Sequence, residues 1–77
     1  MCMDATTLGA RVRELRVDQG LTLSVLAARA RISVSYLNDI EHDRTVPTLG
    51  RLTALASGLE LSVRDLFRGV TPYDDAS

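Results

Sequence analysis

The sequence contains one cysteine, two prolines, three aromatic residues and no tryptophan in 77 residues. The single Cys2 cannot form an internal disulfide bond, and no His or Cys neighbour stands at the spacing of a metal-binding motif. No apolar run approaches the roughly 20 residues that a membrane-spanning helix needs, and the N-terminal segment MCMDATT lacks the charged and apolar parts of a secretory signal. We therefore expect a cytoplasmic protein with no bound metal, no cofactor and no association with a membrane.

The sequence also lacks the residue sets that catalysis requires. Its only histidine, His42, has no evident nucleophile or metal-binding partner, and no glycine-rich phosphate loop is present. A core built from 77 residues leaves little room for a substrate pocket. We expect no enzymatic activity.

The charge balance, nine basic against ten acidic residues with a net charge of −1, is less basic than in many DNA-binding domains. Asp74 and Asp75 lie in a predicted tail, so residues 1–68 hold nine basic and eight acidic residues. All nine basic residues are arginine, which binds phosphate groups in a bidentate manner. The absence of lysine indicates either selection for phosphate binding or a bias in genomic composition.

Apolar side chains recur every three or four residues along most of the chain, which predicts short amphipathic helices. The first helix is predicted over residues 6–18, and Gly20 ends it. Thr22 caps the second helix and Ser33 caps the third. The inward-facing residues of these three helices are Leu8, Val12, Leu15, Leu26, Ala27, Ala30, Leu37 and Ile40.

Two further helices are predicted after Pro47, because proline disfavours a helical conformation at the residue before it. Thr48 caps the fourth helix and Gly58 marks its end. Ser62 and Asp65 predict a capping box at the start of the fifth helix. The apolar residues assigned to the buried side of the fourth helix are Leu49, Leu52, Leu55, Ala56 and Leu59.

No strand pattern and no internal repeat accompany these helices. The sequence therefore predicts an all-α fold, a compact bundle of five helices with short connections. Residues 6–70 form the predicted domain, residues 1–5 a flexible N-terminal arm and residues 71–77 a flexible tail.

The segment TLSVLAARARISVSYLNDIE, residues 22–41, predicts two short helices joined by a tight turn. This is the outline of a helix-turn-helix, whose second helix fits the major groove of DNA. On a helical wheel Leu37 and Ile40 define the buried direction of that second helix. The candidates for base contact on its outer side are Val34, Ser35, Tyr36, Asn38 and Asp39.

The residue types of this outer face suit base recognition, since Asn pairs with adenine, Asp accepts from cytosine and apolar groups contact the thymine methyl. Ser33 can offer its hydroxyl to a phosphate. A polar exterior is also typical of any surface helix, and Asp39, Glu41 and Asp43 make this one acidic. The outer face alone therefore does not distinguish a DNA-contacting helix from an ordinary surface helix.

Residues 8–67 resemble the XRE family of phage-repressor-like helix-turn-helix domains. The resemblance implies a repressor-like bundle in which the second and third helices form the motif, and a sequence-specific, DNA-binding transcriptional regulator. The motifs that carry it are V-R-E-L-R (12–16), G-L-T (20–22), L-A (26–27), I-S-x-S-Y-L (32–37), I-E (40–41), R-T-x-P-T-L (44–49) and L-x-x-L-A (52–56).

By position, the resemblance places four of the candidates at or beside base-reading positions and Tyr36 against the DNA backbone or a base step. The four are Val34, Ser35, Asn38 and Asp39. Arg44 and Thr45 match the loop that meets phosphate, and Ser33 matches the cap of the third helix. Arg16 and Glu41 match a structural ion pair between the first and third helices.

The chain departs from the family pattern at four positions, one of which is Asp39, where a polar or basic base-reading residue is frequent. Leu23 replaces a Gln that often binds phosphate, so this contact is either lost or supplied by Arg29 or an arginine of the first helix. Arg31 and Asp43 stand where glycine is common, and a left-handed residue other than glycine costs roughly 1 kcal/mol. Arg31 would then place a guanidinium group near the DNA.

The C-terminal part of the domain contains more apolar side chains than a short last helix needs. We expect part of this surface to form a two-fold dimer interface, because such domains pair on palindromic operators with half-sites about 34 Å apart. Its candidate residues are Leu59, Leu61, Val63, Leu66, Phe67 and Val70.

Two alternatives to a plain homodimeric repressor stay open. One is an antitoxin that represses its own operon and also binds a protein toxin. The other is a protein-interaction module that has lost DNA binding, which the acidic residues near the third helix and Leu23 would favour.

Overall fold

The computed structural model describes residues 7–68 and 70. It contains five α-helices, α1 (Leu8–Asp18), α2 (Leu23–Ala30), α3 (Val34–Glu41), α4 (Leu49–Gly58) and α5 (Val63–Leu66). The predicted all-α bundle is therefore confirmed. The predicted arm and tail lie outside the described residues. Among the described residues, no helix has both the length and the apolar character required to cross a membrane.

Each helix begins after a Ser or Thr whose side-chain oxygen accepts a hydrogen bond from the backbone N–H three residues later. The caps are Thr7, Thr22, Ser33, Thr48 and Ser62. The four caps predicted from the sequence are confirmed, and Thr7 explains why α1 begins at Leu8 instead of residue 6. The predicted capping box is also present, since Ser62 N–H donates to the Asp65 carboxylate at 3.2 Å. This bond, with one from the Ser62 hydroxyl, lowers the pKa of Asp65.

Helices α1 to α4 end in the same backbone arrangement, the Schellman motif, which closes on a residue of left-handed conformation. The closing hydrogen bonds are Leu21 N–H to Arg16 O, Ile32 N–H to Ala27 O, Arg44 N–H to Asp39 O and Leu61 N–H to Ala56 O. The left-handed residues are Gly20, Arg31, Asp43 and Glu60, with φ between 60° and 73°. The left-handed conformations expected at Arg31 and Asp43 are confirmed, whereas that of Glu60 was not predicted.

Gly58 is the last residue of α4, as its predicted place near the end of the helix implied, and the left-handed residue follows two positions later, at Glu60. A β-carbon at Gly58 would lie 3.1 Å from Cβ of Arg29 and 3.2 Å from Cδ1 of Leu26. Gly58 therefore also permits the close approach of α4 to α2.

The core takes apolar side chains from all five helices. Its buried members are Val12, Leu26, Ala27, Ala30, Leu37, Ile40, Leu52, Leu55, Ala56, Leu59 and Leu66. The inward faces predicted for the second and third helices are therefore correct. Leu49 was predicted to be buried but is 71% exposed. The buried stripe of α4 begins one turn later, at Leu52, so the first turn of α4 lies beyond the core.

A buried ion pair joins α1 to α3. Arg16 Nε donates to Glu41 Oε2 at 2.7 Å, and Arg16 Nη2 donates to Glu41 Oε1 at 3.1 Å. The third guanidinium nitrogen, Nη1, donates to the carbonyl oxygen of Leu21 at 2.8 Å. The side chains of Arg16 and Glu41 are only 12% and 2% exposed. One guanidinium group therefore fixes both α3 and the connection between α1 and α2.

Removing one member of this pair should destabilise the fold more than removing both. Arg16→Met leaves the Glu41 carboxylate buried without a partner, which should lower the free energy of unfolding by about 3 kcal/mol. The double variant Arg16→Met/Glu41→Met should lose less, because no uncompensated charge stays buried. Urea unfolding of the two variants measures this. Arg44→Met, which breaks an exposed ion pair, is the control and should change the free energy of unfolding by less than about 1 kcal/mol. A double variant that is as destabilised as Arg16→Met, or more so, would contradict the interpretation.

Gly9 and Gly50 should respond oppositely to alanine. A β-carbon at Gly9 would overlap the carbonyl oxygen of Ile40 and lie 2.7 Å from Oδ1 of Asp43, so α1 would be forced away from α3. At Gly50 the nearest atom, Thr48 Oγ1, is 3.9 Å away. We expect Gly9→Ala to lower the free energy of unfolding by about 2 kcal/mol and Gly50→Ala to raise it by about 0.5 kcal/mol. Similar urea midpoints for the two variants would show that α1 does not need its close approach to α3.

Candidate nucleic-acid interface

Helices α2 and α3 are joined by residues 31–33, and the geometry of this turn is set by Arg31. Arg31 has φ 60° and ψ 43°, and its N–H donates to the carbonyl oxygen of Ala28. Ser33 then caps α3, its Oγ accepting from Tyr36 N–H at 3.0 Å. Leu37 and Ile40 anchor α3 in the core, so the opposite side of the helix faces outward.

The five residues predicted to contact bases all keep exposed surface. Val34 is 42% exposed and Ser35 is also exposed, while Tyr36, Asn38 and Asp39 are half-buried. None of the five belongs to the core. The structure therefore leaves the outer face of α3 open to a ligand.

Three acidic residues lie in α3 or directly after it, and each has a partner within the fold. Asp39 Oδ1 accepts from Arg44 Nη1 at 3.2 Å, and Glu41 is buried against Arg16. The carboxylate of Asp43 points to the start of α1, where it accepts from the Thr7 hydroxyl at 2.7 Å and from Gly9 N–H at 3.2 Å. The acidity that the sequence places near α3 is thus largely compensated or directed away from its outer face.

The residues predicted to contact phosphate do not all lie together. Arg44 and Thr45 follow α3 directly, with the Arg44 side chain 61% exposed, and Arg31 and Ser33 precede it. Arg29, however, donates to the carbonyl oxygen of Gly58 at 3.1 Å, at the C-terminal end of α4. Because the ten residues of α4 span about 15 Å, this end is remote from the N-terminal end that borders α3. The structure therefore does not bring Arg29 into the site.

An open cleft of about 480 Å³ lies between the N-terminal ends of α3 and α4. The residues that line this α3–α4 cleft are Arg31, Ile32, Ser33, Tyr36, Thr48 and Arg51. The guanidinium carbon of Arg51 lies 5.8 Å from the centre of the Tyr36 ring, within the range of a cation–π interaction. Arg51 was not among the residues predicted from the sequence. Its position three residues after the Thr48 cap, in the first turn of a helix, was the available signal.

Two of the six residues predicted for a dimer interface are unavailable for it. Leu59 and Leu66 are fully buried, because they fill the core between α4 and α5. Phe67, which follows α5, is 40% exposed. Leu61, Val63 and Val70 are half-buried. Only these last four can offer apolar surface to a second molecule.

Residues 7–68 match the family model of the helix-turn-helix domain. The HTH-type transcriptional regulator DdrOP3 of Deinococcus deserti is 49% identical over 65 residues, which cover 84% of this chain and 50% of that protein. The immunity repressor protein of Bacillus phage phi105 is 44% identical over 57 residues, which cover 74% of this chain and 40% of that protein. The chain thus matches half or less of the length of these curated relatives.

Among solved structures, the master regulator for biofilm formation SinR, in complex with DNA, superposes with a TM-score of 0.74. It is 34% identical, and the match covers 79% of this chain and 98% of that chain. The named relatives are a transcriptional regulator, an immunity repressor and a master regulator. From the match over residues 7–68 and from these relatives, the chain belongs to the helix-turn-helix domain family of XRE type, as its sequence motifs predicted.

Proposed function

We propose that the chain is a sequence-specific DNA-binding regulator of transcription that acts as a repressor in the cytoplasm, with α3 in the major groove. The observation that carries this proposal is the outer face of α3, which is open along its length and has arginines beyond both ends. The eight residues of α3 span about 12 Å, and the major groove is about 12 Å wide. Arg31 before the helix and Arg44 after it can therefore face the phosphates on opposite sides of the groove.

Base recognition would rest on Asn38, Val34 and Ser35. The Asn38 amide can donate to and accept from adenine, and Val34 offers an apolar surface to a thymine methyl group. Asp39 accepts from Arg44, so any contact of its carboxylate with cytosine is coupled to the position of Arg44. Phosphate contacts by Ser33, Arg44 and Thr45 would set the register of the domain on DNA without adding sequence information.

The pairing of the three acidic residues supports this function over a protein-interaction module without DNA affinity. A negative surface near α3 would repel the DNA backbone. Glu41 and Asp43 are bonded away from the outer face, and Asp39 carries the compensating charge of Arg44. The relatives support the same choice, since SinR was solved with DNA and the phi105 protein is an immunity repressor.

Dimer formation on a palindromic operator is the second part of the proposal. Phe67, Leu61, Val63 and Val70 supply the apolar patch that would pair across a two-fold axis. Two copies would then present their α3 helices to half-sites about 34 Å apart. Binding two half-sites at once raises the affinity far above that of one domain.

DNA selection from a random pool tests the function directly. We expect enrichment of a palindrome and an affinity that falls steeply as salt increases. Asn38→Ala should lose about 10- to 100-fold in affinity for the selected site and should tolerate base changes at one position of each half-site. The matched control is Ser57→Ala, an exposed polar residue near the far end of α4, which should bind as the parent protein does. Absence of sequence-selective binding at low salt would refute the function.

Phe67→Ser should separate dimer formation from base recognition. Loss of the exposed ring should shift sedimentation toward the monomer and weaken binding to the full palindrome by about 100-fold, while single half-site binding stays unchanged. Val17→Ser removes a 53% exposed apolar side chain from α1 and serves as the control. A parent protein that sediments as a monomer both free and on the palindrome would contradict the proposed dimer.

A further inference from the structure

The nine arginines divide into two groups by the contacts of their guanidinium groups within residues 7–68 and 70. Five pair with a carboxylate or donate to a carbonyl oxygen of the fold, namely Arg11, Arg16, Arg29, Arg44 and, through an ion pair at 3.8 Å, Arg68. The other four make no ion pair and no side-chain hydrogen bond with a described residue; they are Arg13, Arg31, Arg51 and Arg64. Two of these four, Arg31 and Arg51, line the same α3–α4 cleft. Two like charges at one cleft repel each other unless an anion lies between them.

The other walls of the cleft also suit an anion. No carboxylate of residues 7–68 lines it, and its remaining described residues are Ile32, Ser33, Tyr36 and Thr48. The hydroxyl oxygens of Ser33 and Thr48 accept backbone N–H bonds at 3.0 Å and 3.2 Å, from Tyr36 and Arg51. Each hydroxyl hydrogen is therefore left to donate, as a phosphate oxygen requires.

The backbone conformation of Arg31 destabilises the fold. This residue adopts a left-handed conformation that glycine adopts without strain. Arg31 is thus a strained residue that lines the cleft and has no carboxylate partner among the described residues, which ligand binding explains better than packing does. The backbone of this turn would be more stable with glycine, which has no Cβ to strain a positive φ.

Arg51 is oriented by its contact with Tyr36. The 5.8 Å stacking of the guanidinium group on the ring restricts both side chains. Tyr36 belongs to α3 and Arg51 to α4, so the contact bridges the two walls of the cleft. A group bound by Arg51 would consequently also fix Tyr36 on the face that meets DNA.

We propose that the α3–α4 cleft holds one phosphodiester group of the DNA backbone between the guanidinium groups of Arg31 and Arg51, and that Arg51 positions Tyr36 on that backbone. This assignment rests on the proposed DNA-binding function. It adds Arg51, which lies outside the helix-turn-helix, to the DNA contacts. It also gives the left-handed Arg31 a function in ligand binding.

We call the proposed pair of Arg31 and Arg51 with the phosphate between them the clamp. The slope of log affinity against log salt concentration, measured on the selected DNA site, tests it. A phosphate contact contributes about 0.9 to this slope. Arg31→Gly and Arg51→Gln should each lower the slope by about one unit and the affinity by about tenfold. Arg51→Lys keeps the charge and should restore the slope. Arg64→Gln removes an equally unpaired arginine from α5 and is the matched control, so its slope should equal that of the parent protein.

Thermal unfolding separates a ligand contact from a structural role. Arg31→Gly relieves the left-handed strain and should raise the midpoint of unfolding by about 5 °C, although it weakens DNA binding. A variant that merely damaged the fold would lose both thermal stability and DNA affinity. A second test replaces the phosphate proposed to lie between Arg31 and Arg51 with a neutral methylphosphonate. The parent protein should bind this DNA about tenfold more weakly than unmodified DNA. The double variant Arg31→Gly/Arg51→Gln should bind the two DNAs equally well.

Three results would overturn the clamp. Unchanged slopes for Arg31→Gly and Arg51→Gln, with the parent protein still bound to DNA, would leave the proposed function intact and remove the cleft from it. Stabilisation of the free protein by millimolar inorganic phosphate, abolished in Arg51→Gln without any change in DNA affinity, would assign the cleft to a free anion. A parent protein without DNA affinity would refute the function and the clamp together.

Discussion

The buried pair of Arg16 and Glu41 is the interaction on which the placement of the other elements depends. One guanidinium group bonds to both carboxylate oxygens on α3 and to the carbonyl oxygen of Leu21 before α2. Helix α3 is thereby held against α1, and the connection that leads into α2 is fixed to the same guanidinium group. A charge pair that is only 12% and 2% exposed tolerates little displacement, because its desolvation is offset only while every bond is made. The orientation of α3 follows from this geometry.

Polar contacts within the fold also determine which charges remain on the surface around α3. Asp43 and Arg31 both occupy left-handed positions at helix ends, and each also has a second function. Asp43 bonds to the start of α1 and so removes its charge from the interface. Arg31 lines the α3–α4 cleft. A weakly acidic chain can in this way present a basic, phosphate-compatible surface, because the distribution of charge in space matters more than its sum.

Local chemistry allowed most elements to be predicted. A hydroxyl cap acts within three residues and a buried stripe repeats within one turn, so Thr22, Ser33, Thr48 and Ser62 could be found without knowledge of the fold. Leu49 fits the stripe of α4 equally well, yet it is 71% exposed. Gly58 was predicted near the end of α4 and is its last residue, but its close contact with α2 could not be predicted. Burial and close approach depend on neighbours distant in sequence, which periodicity does not describe.

The sequence by itself determined the helix positions, the helix-turn-helix and the outer face of α3, because each depends on interactions within a few residues. It also indicated the family, through motifs spread over residues 12–56. Only the tertiary structure decided which arginines bond within the fold and which have no such partner among the described residues. It brought Arg31 and Arg51 to one cleft, turned Arg29 toward Gly58 and buried Leu59 and Leu66. The physical reason is that a long, flexible charged side chain takes its role from whatever the packed helices place within its reach.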